Sequence, residues 1–390
     1  MSIYKDTELK EKLVDIRRKL HKHPELSQKE IKTAEMVAEI LQGLGIETKT
    51  GIAGTGVVGL LRGKEEGKTI GLRCDMDALS VQEESTEPYK SEVEGVMHAC
   101  GHDGHVAIML GTAMLLAAKK DKLKGNVKFI FQPAEEVSGG AYPMIEEGVL
   151  ENPQVEAMVG IHLWPQVKVG DVGIQYGPTM AAVDNFWVTI KGKGAHGAMP
   201  HEGVDAVVTA AYVICALQQI VSRQVEAADP TVISIGTING GFRRNVVAEE
   251  VKTSGTIRTL SPELREVLPE KIEKIIKGVT ESFGASYDLF IDRKQPVTVN
   301  ERGLTARCEE IVGELLGREH AVLLEKAPMT GEDFAYYGEK VPACMLKIGC
   351  SNPEKGLTEP LHSSSFDFDE DALLVGAYSL AEIAGKLLAD

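Results

Sequence analysis

The chain has 390 residues, which exceeds the roughly 250 to 300 residues over which one hydrophobic core keeps growing, so two domains are expected. Hydrophobic residues make up 43% and charged residues 26%, which is typical of a globular protein and excludes disordered and fibrous classes. The net charge of -16 and the lack of any block of basic residues disfavour nucleic acid as a partner.

The first residues, MSIYKDTELKEKL, alternate charged with apolar positions and contain no apolar run of signal-peptide length. No later run approaches the roughly 18 apolar residues of a membrane span. The six cysteines are scattered without C-x-x-C spacing, as free thiols in a reducing compartment would be. We therefore expect a cytoplasmic protein that has no membrane partner.

Residues 6–45 have the periodicity of two helices. TELKEKLVDIRRKLHKH carries a helical apolar stripe, and SQKEIKTAEMVAEILQGLG opens with a capping box, Ser27-x-x-Glu30, and closes on two glycines. Short apolar runs follow, and they predict the strands GVVGLLRG, KTIGLRCDMDA, NVKFIFQPAEE and AMVGIHLW around the helix HVAIMLGTAMLLAAKK. This alternation predicts an α/β fold in which helices cover a mostly parallel sheet.

The pattern changes near residue 182. Between there and residue 295 the predicted order is β-α-β-β-α-β, which is that of a ferredoxin-like unit. After residue 296 a helix, the strand ACMLKIG and a last helix resume the first pattern. We predict a catalytic domain built from 1–181 and 296–390, interrupted by an inserted lid domain at 182–295.

The segment GVMHACGHDGH, residues 95–105, holds three histidines, a cysteine and an aspartate. Structural histidines usually occur singly, so this crowding of nitrogen and sulfur donors indicates a metal site. Further candidate ligands follow predicted strands, at the edge of a sheet where ligands converge. These candidates are Asp75 and Asp77, Cys100 and His102 in the loop before a helix, Glu135 and Glu136, His162 and His362.

Glu135 and Glu136 follow an apolar strand directly, where two adjacent carboxylates repel each other unless a positive charge compensates. Neighbouring side chains in an extended segment point in opposite directions. One carboxylate can therefore bind a metal while the other reaches a water molecule that the metal activates.

Nine motifs together resemble the M20 metallopeptidase superfamily: RRKLHKHPELSQKE, RCDMDAL, MHACGHDGH, QPAEE, GIHLWP, GKGAHGAMPH, GTIR, TGEDFAYY and LHSSSFD. The most similar branch contains aminoacylase-like amidohydrolases, hippurate hydrolases and plant hydrolases of auxin conjugates. The resemblance runs nearly from end to end, and it implies a two-metal exopeptidase-like catalytic domain with a ferredoxin-like lid that forms a homodimer.

Carried over residue by residue, the resemblance implies two divalent metal ions per subunit, with zinc, manganese, cobalt and nickel all compatible with mixed N, O and S donors. Glu135 would be the general base, and Asp75 would orient a ligand without binding metal itself. His98 and His105 would hold the loop, and Asp103 would be structural. The implied metal ligands are Cys100, His102, Glu136, His162 and His362.

The resemblance also places substrate contacts in the lid, at His196, Asn245 and Arg258. In the family the residue at the position of His196 reaches across the dimer and polarises the carbonyl that is attacked. The implied activity is hydrolysis of the amide bond of an N-acyl amino acid or a small related conjugate.

Two alternatives stay open from the sequence. One is a dipeptidase or carboxypeptidase type of metallopeptidase, and the other is a non-catalytic module that binds amino acids or peptides and contains structural metals. Structural zinc sites are usually closed by four ligands and need no additional carboxylate, so Glu135 favours catalysis.

Overall fold

The computed structural model describes residues 3–390, which form two compact units. The first unit runs to Gly177 and continues in Val299–Lys326 and Asp333–Asp390. The second comprises Pro178–Thr298 and Ala327–Glu332. The predicted lid, 182–295, lies within the second unit, which also includes 178–181, 296–298 and 327–332 of the predicted catalytic domain.

The elements of the chain up to residue 180 begin with two helices, as the apolar periodicity predicts. They are α1 (Thr7–Lys22), α2 (Ile31–Gly43), β1 (Glu47–Ile52), β2 (Gly56–Arg62), β3 (Glu65–Asp75), α3 (His102–Ala117), β4 (Lys124–Gln132), α4 (Ala141–Glu146), β5 (Ala157–Lys168), β6 (Val172–Ile174) and β7 (Gly177–Met180).

The second half of the chain contributes the elements of the inserted unit and then the remaining strands and helices of the first. They are β8 (Ala182–Lys191), β9 (Ala195–His196), α5 (Ala206–Gln219), β10 (Thr231–Gly240), β11 (Val246–Val247), β12 (Glu250–Thr259), α6 (Pro262–Ser282), β13 (Ser286–Arg293), β14 (Thr298–Asn300), α7 (Arg302–Leu316), β15 (Ala321–Leu323), α8 (Ala335–Gly338), β16 (Ala343–Ser351) and α9 (Asp371–Ala389).

The first unit is built on one sheet with the order β1-β2-β4-β3-β5-β16-β6-β15. The four central strands β4, β3, β5 and β16 are parallel, which confirms the predicted α/β class, and β1 and β2 add an antiparallel edge. Because β16 follows the insertion in sequence and pairs with β5, the two segments of the first unit share one core. The carboxyl ends of the parallel strands therefore meet at one edge of the sheet.

Two local predictions in this unit are wrong. Ser27 and Glu30 do not form a capping box, because α2 begins at Ile31 and Glu30, its N-cap residue, makes no side-chain cap hydrogen bond. Ser27 instead donates a hydrogen bond to Asp77. His102 does not lie in a loop before a helix but is the first residue of α3. This helix is buried along most of its length, since it packs against α1 and α9.

The second unit is a four-stranded antiparallel sheet with the order β10-β12-β8-β13. This order confirms the predicted ferredoxin-like arrangement. Alternate residues of β8, such as Phe186 and Val188, pack in a core with α5 and α6. On the other face, Trp187 stacks on Phe290 with ring centroids 5.6 Å apart, and both rings are exposed.

Two helical segments, Ala206–Gln224 and Asp371–Ala389, are long and apolar enough by composition to span a membrane. The second is α9, whose apolar window is 72% buried in the core, as expected of a core helix. The first contains α5, and only 33% of its apolar window is buried.

Candidate metal centre

The five predicted ligands lie together at the carboxyl edge of the central sheet. Cys100 Sγ lies 3.6 Å from His162 Nε2. Glu136 Oε1 lies 3.8 Å from His102 Nε2 and 3.5 Å from His362 Nε2. Within each of three groups the donor atoms lie within 4.8 Å of one another, and these groups are Cys100–His102–His162, Cys100–Glu136–His362 and His102–Glu135–Glu136.

The buried donors of this cluster fit a divalent cation. Nε2 of His102 and Oε1 of Glu136 are buried and have no hydrogen-bond partner within residues 3–390. Leaving such groups unsatisfied costs free energy, which metal coordination would recover. The combination of thiol, imidazole and carboxylate is one that zinc, manganese, cobalt or nickel accepts.

The electrostatics of the cluster also favour a cation. Burial lowers the pKa of His102, but the carboxylates of Asp75 and Asp77 outweigh it and raise the pKa to about 10. Burial and the carboxylate of Glu136 raise the pKa of the Cys100 thiol well above its ordinary value. A divalent cation would replace the proton on both groups, because metal binding requires neutral imidazole and thiolate.

Hydrogen bonds to backbone groups orient the imidazole rings of His162 and His105 at the site. The Nδ1–H of His162 donates to the Leu163 carbonyl at 2.7 Å, which leaves the Nε2 lone pair facing Cys100. The backbone N–H of Leu163 donates to Nε2 of His105 at 2.8 Å, so the proton of His105 lies on Nδ1 and donates to Asp75 at 2.5 Å. Burial also lowers the pKa of His162, which keeps that ring neutral.

Asp75 accepts hydrogen bonds from an arginine and from a histidine that is not among the predicted ligands. Its Oδ2 accepts from the buried guanidinium of Arg73 at 2.8 Å, and its Oδ1 accepts from His105. The same Oδ1 lies 3.8 Å from Nε2 of His102. Asp75 is thus hydrogen-bonded to His105 and also lies close to the predicted ligand His102.

Asp77, which the sequence offers only as a candidate ligand, lies between His102 and the turn that carries Glu135 and Glu136. Its Oδ1 lies 3.3 Å from Nδ1 of His102 and accepts from the backbone N–H of Glu135 at 3.1 Å. Its Oδ2 accepts from the N–H of Glu136 at 3.1 Å. The spacing from Asp75 is a signal for this role, because residues two apart at the end of a strand share a face.

Glu135 is 8% exposed and lies beside the predicted ligands His102 and Glu136. Its Oε1 accepts from the backbone N–H of Asp333 at 3.3 Å. Asp333 is itself buried and accepts from Arg73 at 2.9 Å and from Gln132 at 2.6 Å. One oxygen of Glu135 is therefore linked through Asp333 to a buried, charged network of the first unit.

The histidine-rich segment is anchored from α1. Asp103 accepts from Arg17 and from His21, each at 2.8 Å, and all three side chains are buried. His98 is also buried, and burial lowers its pKa to about 4. The pairing of Asp103 with Arg17 and His21 ties the predicted ligand His102, its neighbour in sequence, to α1.

His362 enters the cluster from the loop before α9. Its backbone has a φ of +67°, and its N–H donates to the carbonyl of Ala99 at 2.8 Å. A positive φ is uncommon for a residue other than glycine, and such residues concentrate at functional sites. The bond to Ala99 joins this loop to the segment that carries Cys100.

The predicted substrate contacts all lie in the second unit, where two of them are neighbours. His196 pairs with Val246 between β9 and β11, and the N–H of Gly197 donates to the carbonyl of Asn245 at 2.8 Å. Arg258 lies on β12, opposite Val183 of β8, and its guanidinium donates to the carbonyl of Ile257. No described contact joins Arg258 to His196 or Asn245.

Comparison with known proteins identifies similar chains. The sequence model of peptidase family M20/M25/M40 matches residues 71–386. Thermostable carboxypeptidase 2 of Saccharolobus solfataricus is 40% identical over 384 residues, covering 97% of this chain and 96% of that protein. An N-acyl-L-amino acid amidohydrolase of Geobacillus stearothermophilus is 45% identical over 286 residues, covering 73% and 77%. The crystal structure of the Bacillus subtilis YXEP protein, described as a dinuclear metal binding peptidase from the M20 family, has a TM-score of 0.87, 35% identity and coverage of 98% and 99%.

Proposed function

The chain belongs to peptidase family M20/M25/M40, and from this premise we propose that it is a metal-dependent amidohydrolase that cleaves the amide bond of N-acyl amino acids or related small conjugates. One observation carries the proposal. Glu135 is a buried carboxylate additional to the five proposed ligands, and its oxygen lies within 4.8 Å of donor atoms of His102 and Glu136. A site that only binds structural metal needs no such group.

The proposed ligands are Cys100, His102, Glu136, His162 and His362. Two divalent cations there would lower the pKa of a water molecule and polarise the amide carbonyl. Glu135 takes the proton from the attacking water and then delivers it to the nitrogen of the leaving amine, which would otherwise depart as a poor anion. The N–H of Asp333 keeps Glu135 oriented for both transfers.

His196 is suited to stabilise the negative charge that develops on the carbonyl oxygen. The backbone N–H of Ala198 donates to its Nδ1 at 3.0 Å, so the proton of the neutral ring lies on Nε2. An exposed Nε2–H can donate a hydrogen bond to an oxygen that becomes an anion in the transition state. Asn245, whose carbonyl bonds to Gly197, and Arg258 complete the proposed substrate contacts.

We include a homodimer through the inserted unit in this proposal. Helix α5 exposes Val207, Val208 and Tyr212, and β10 is an edge strand that exposes Ile238. An exposed apolar patch beside an unpaired strand edge is typical of an interface, because both features otherwise favour aggregation. A cytoplasmic location belongs to the proposal as well, and it is supported by the six free cysteines.

A carboxypeptidase remains the second candidate function, because the match to thermostable carboxypeptidase 2 covers 96% of that relative's length.

The test is to remove metal by chelation, reload separately with zinc, manganese, cobalt or nickel, and assay N-acyl amino acids beside unacylated dipeptides. We expect chelation to abolish hydrolysis of the acylated substrates while circular dichroism retains most of the secondary structure. Faster cleavage of the dipeptides would favour the peptidase, and unfolding on chelation without hydrolysis under any metal would favour structural metals.

A further inference from the structure

The turn that carries the two adjacent carboxylates has an unusual backbone. Ala134 and Ser138 both have a φ of +55°, and the residues between them, Glu135–Val137, form a short 3-10 helix. The left-handed region is unfavourable for residues with a Cβ atom, and it persists only where the surroundings enforce it. The turn has internal hydrogen bonds, from the N–H groups of Ser138 and Gly139 to the carbonyls of Glu135 and Ala134, and it is also held by contacts from outside the segment.

Those contacts are two buried carboxylates that accept three consecutive backbone N–H groups. Ala134 donates to Oε1 of Glu30 at 2.9 Å, and Glu135 and Glu136 donate to the two oxygens of Asp77, each at 3.1 Å. Asp77 also lies beside His102, so a change there would disturb a ligand directly. The described hydrogen bonds of the Glu30 carboxylate, by contrast, involve none of the proposed ligand side chains.

Glu30 comes from a distant part of the chain and is fully buried. It is the N-cap residue of α2, 104 positions before Ala134, and its relative exposure is 0%. Its second oxygen accepts from the Thr55 hydroxyl at 2.6 Å. Burying a carboxylate costs free energy, so a buried glutamate at this position indicates that its hydrogen bonds have a structural or functional role.

We propose that Glu30 is a positioning residue for the reaction: by accepting the N–H of Ala134, it holds the turn that presents Glu136 to the metal site and Glu135 to the attacking water. This inference rests on the proposed function for its catalytic part, whereas its structural part concerns metal binding alone. Thr55 serves as the internal comparison, because it bonds to the same carboxylate but not to the turn.

The test compares three variants. Glu30→Ala removes the acceptor, Glu30→Gln keeps an amide oxygen that can accept from Ala134, and Thr55→Val removes only the other hydrogen bond of Glu30. Zn²⁺ affinity of the metal-stripped full chain is measured by equilibrium dialysis. We expect Glu30→Ala to bind Zn²⁺ about tenfold or more weakly, with Glu30→Gln and Thr55→Val close to wild type.

Turnover at saturating metal is the second readout. We expect Glu30→Ala to lower kcat by about tenfold or more with little change in KM, because the variant displaces the general base and leaves the substrate contacts in place.

Equal Zn²⁺ affinity in Glu30→Ala and Thr55→Val would overturn the inference. If Glu30→Ala does not fold, Glu30→Asp withdraws the acceptor from Ala134, and wild-type affinity in that variant would overturn it too. Failure of the proposed function is distinguishable, since wild type would then bind metal and hydrolyse no substrate.

Discussion

At the scale of single residues, Glu135 and Glu136 are neighbours that we assign to different tasks. Glu135→Gln removes the general base and the later general acid together, so we expect metal content to stay intact while kcat falls by about a thousandfold or more. Glu136→Gln should instead lose metal, because it removes a proposed ligand. Elemental analysis and turnover on the best substrate of the panel check both results. Near-normal turnover in both variants would contradict the assignment.

At the scale of elements, Gly101 separates two proposed ligands, Cys100 and His102, at the start of α3. The φ of Gly101 is +82°, and a Cβ atom at this residue would lie 3.1 Å from Leu163 and 3.5 Å from Phe366. Gly95 in the same segment has a φ of +72° but no atom within 4 Å of such a Cβ. The two glycines therefore share the need for a positive φ and differ in packing.

Alanine at either glycine should cost about 1 to 2 kcal/mol in the free energy of unfolding, because both positions require the left-handed region. Only Gly101→Ala should also weaken Zn²⁺ binding, by about tenfold or more, since its methyl group lies 3.1 Å from the Leu163 side chain and either that side chain or the segment with Cys100 and His102 must shift. Denaturant unfolding and equilibrium dialysis measure the two effects. The idea fails if Gly95→Ala and Gly101→Ala bind Zn²⁺ equally well.

At the scale of the whole molecule, the proposed dimer makes each active site from two chains, with Glu135 from one and His196 from the other. We mix His196→Ala with Glu135→Ala, each inactive alone, and allow the subunits to exchange. Half of the dimers are then mixed and each has one intact site of two, so activity should recover to about a quarter of wild type by this symmetry argument. If exchange between differently tagged chains is verified and no activity returns, His196 does not act across the dimer.

Features that have a local signal could be predicted from the amino-acid sequence. Strands and helices differ in the period of their apolar residues, so the central strands, α1, α9 and the β-α-β-β-α-β insertion could be predicted. The candidate donors at the site could be predicted too, because Glu135, Glu136 and His162 follow or lie in apolar strands and Cys100 and His102 share a histidine-rich segment. Composition and periodicity suffice for such features, since each is encoded within a few residues.

The contacts that hold those donors in place could not be predicted, because they join segments that are distant in sequence. Ser27 and Glu30 have the spacing of a capping box, yet their side chains bond to Asp77 and Ala134, which are 50 and 104 positions away. The role of Asp77 likewise depends on the strand β3 bringing it beside the turn after β4. A hydroxyl or carboxylate has few hydrogen-bond sites, and folding assigns them to whichever buried N–H would otherwise lack a partner. These hydrogen-bond partners depend on which segments become neighbours in space, so they cannot be predicted from the local sequence.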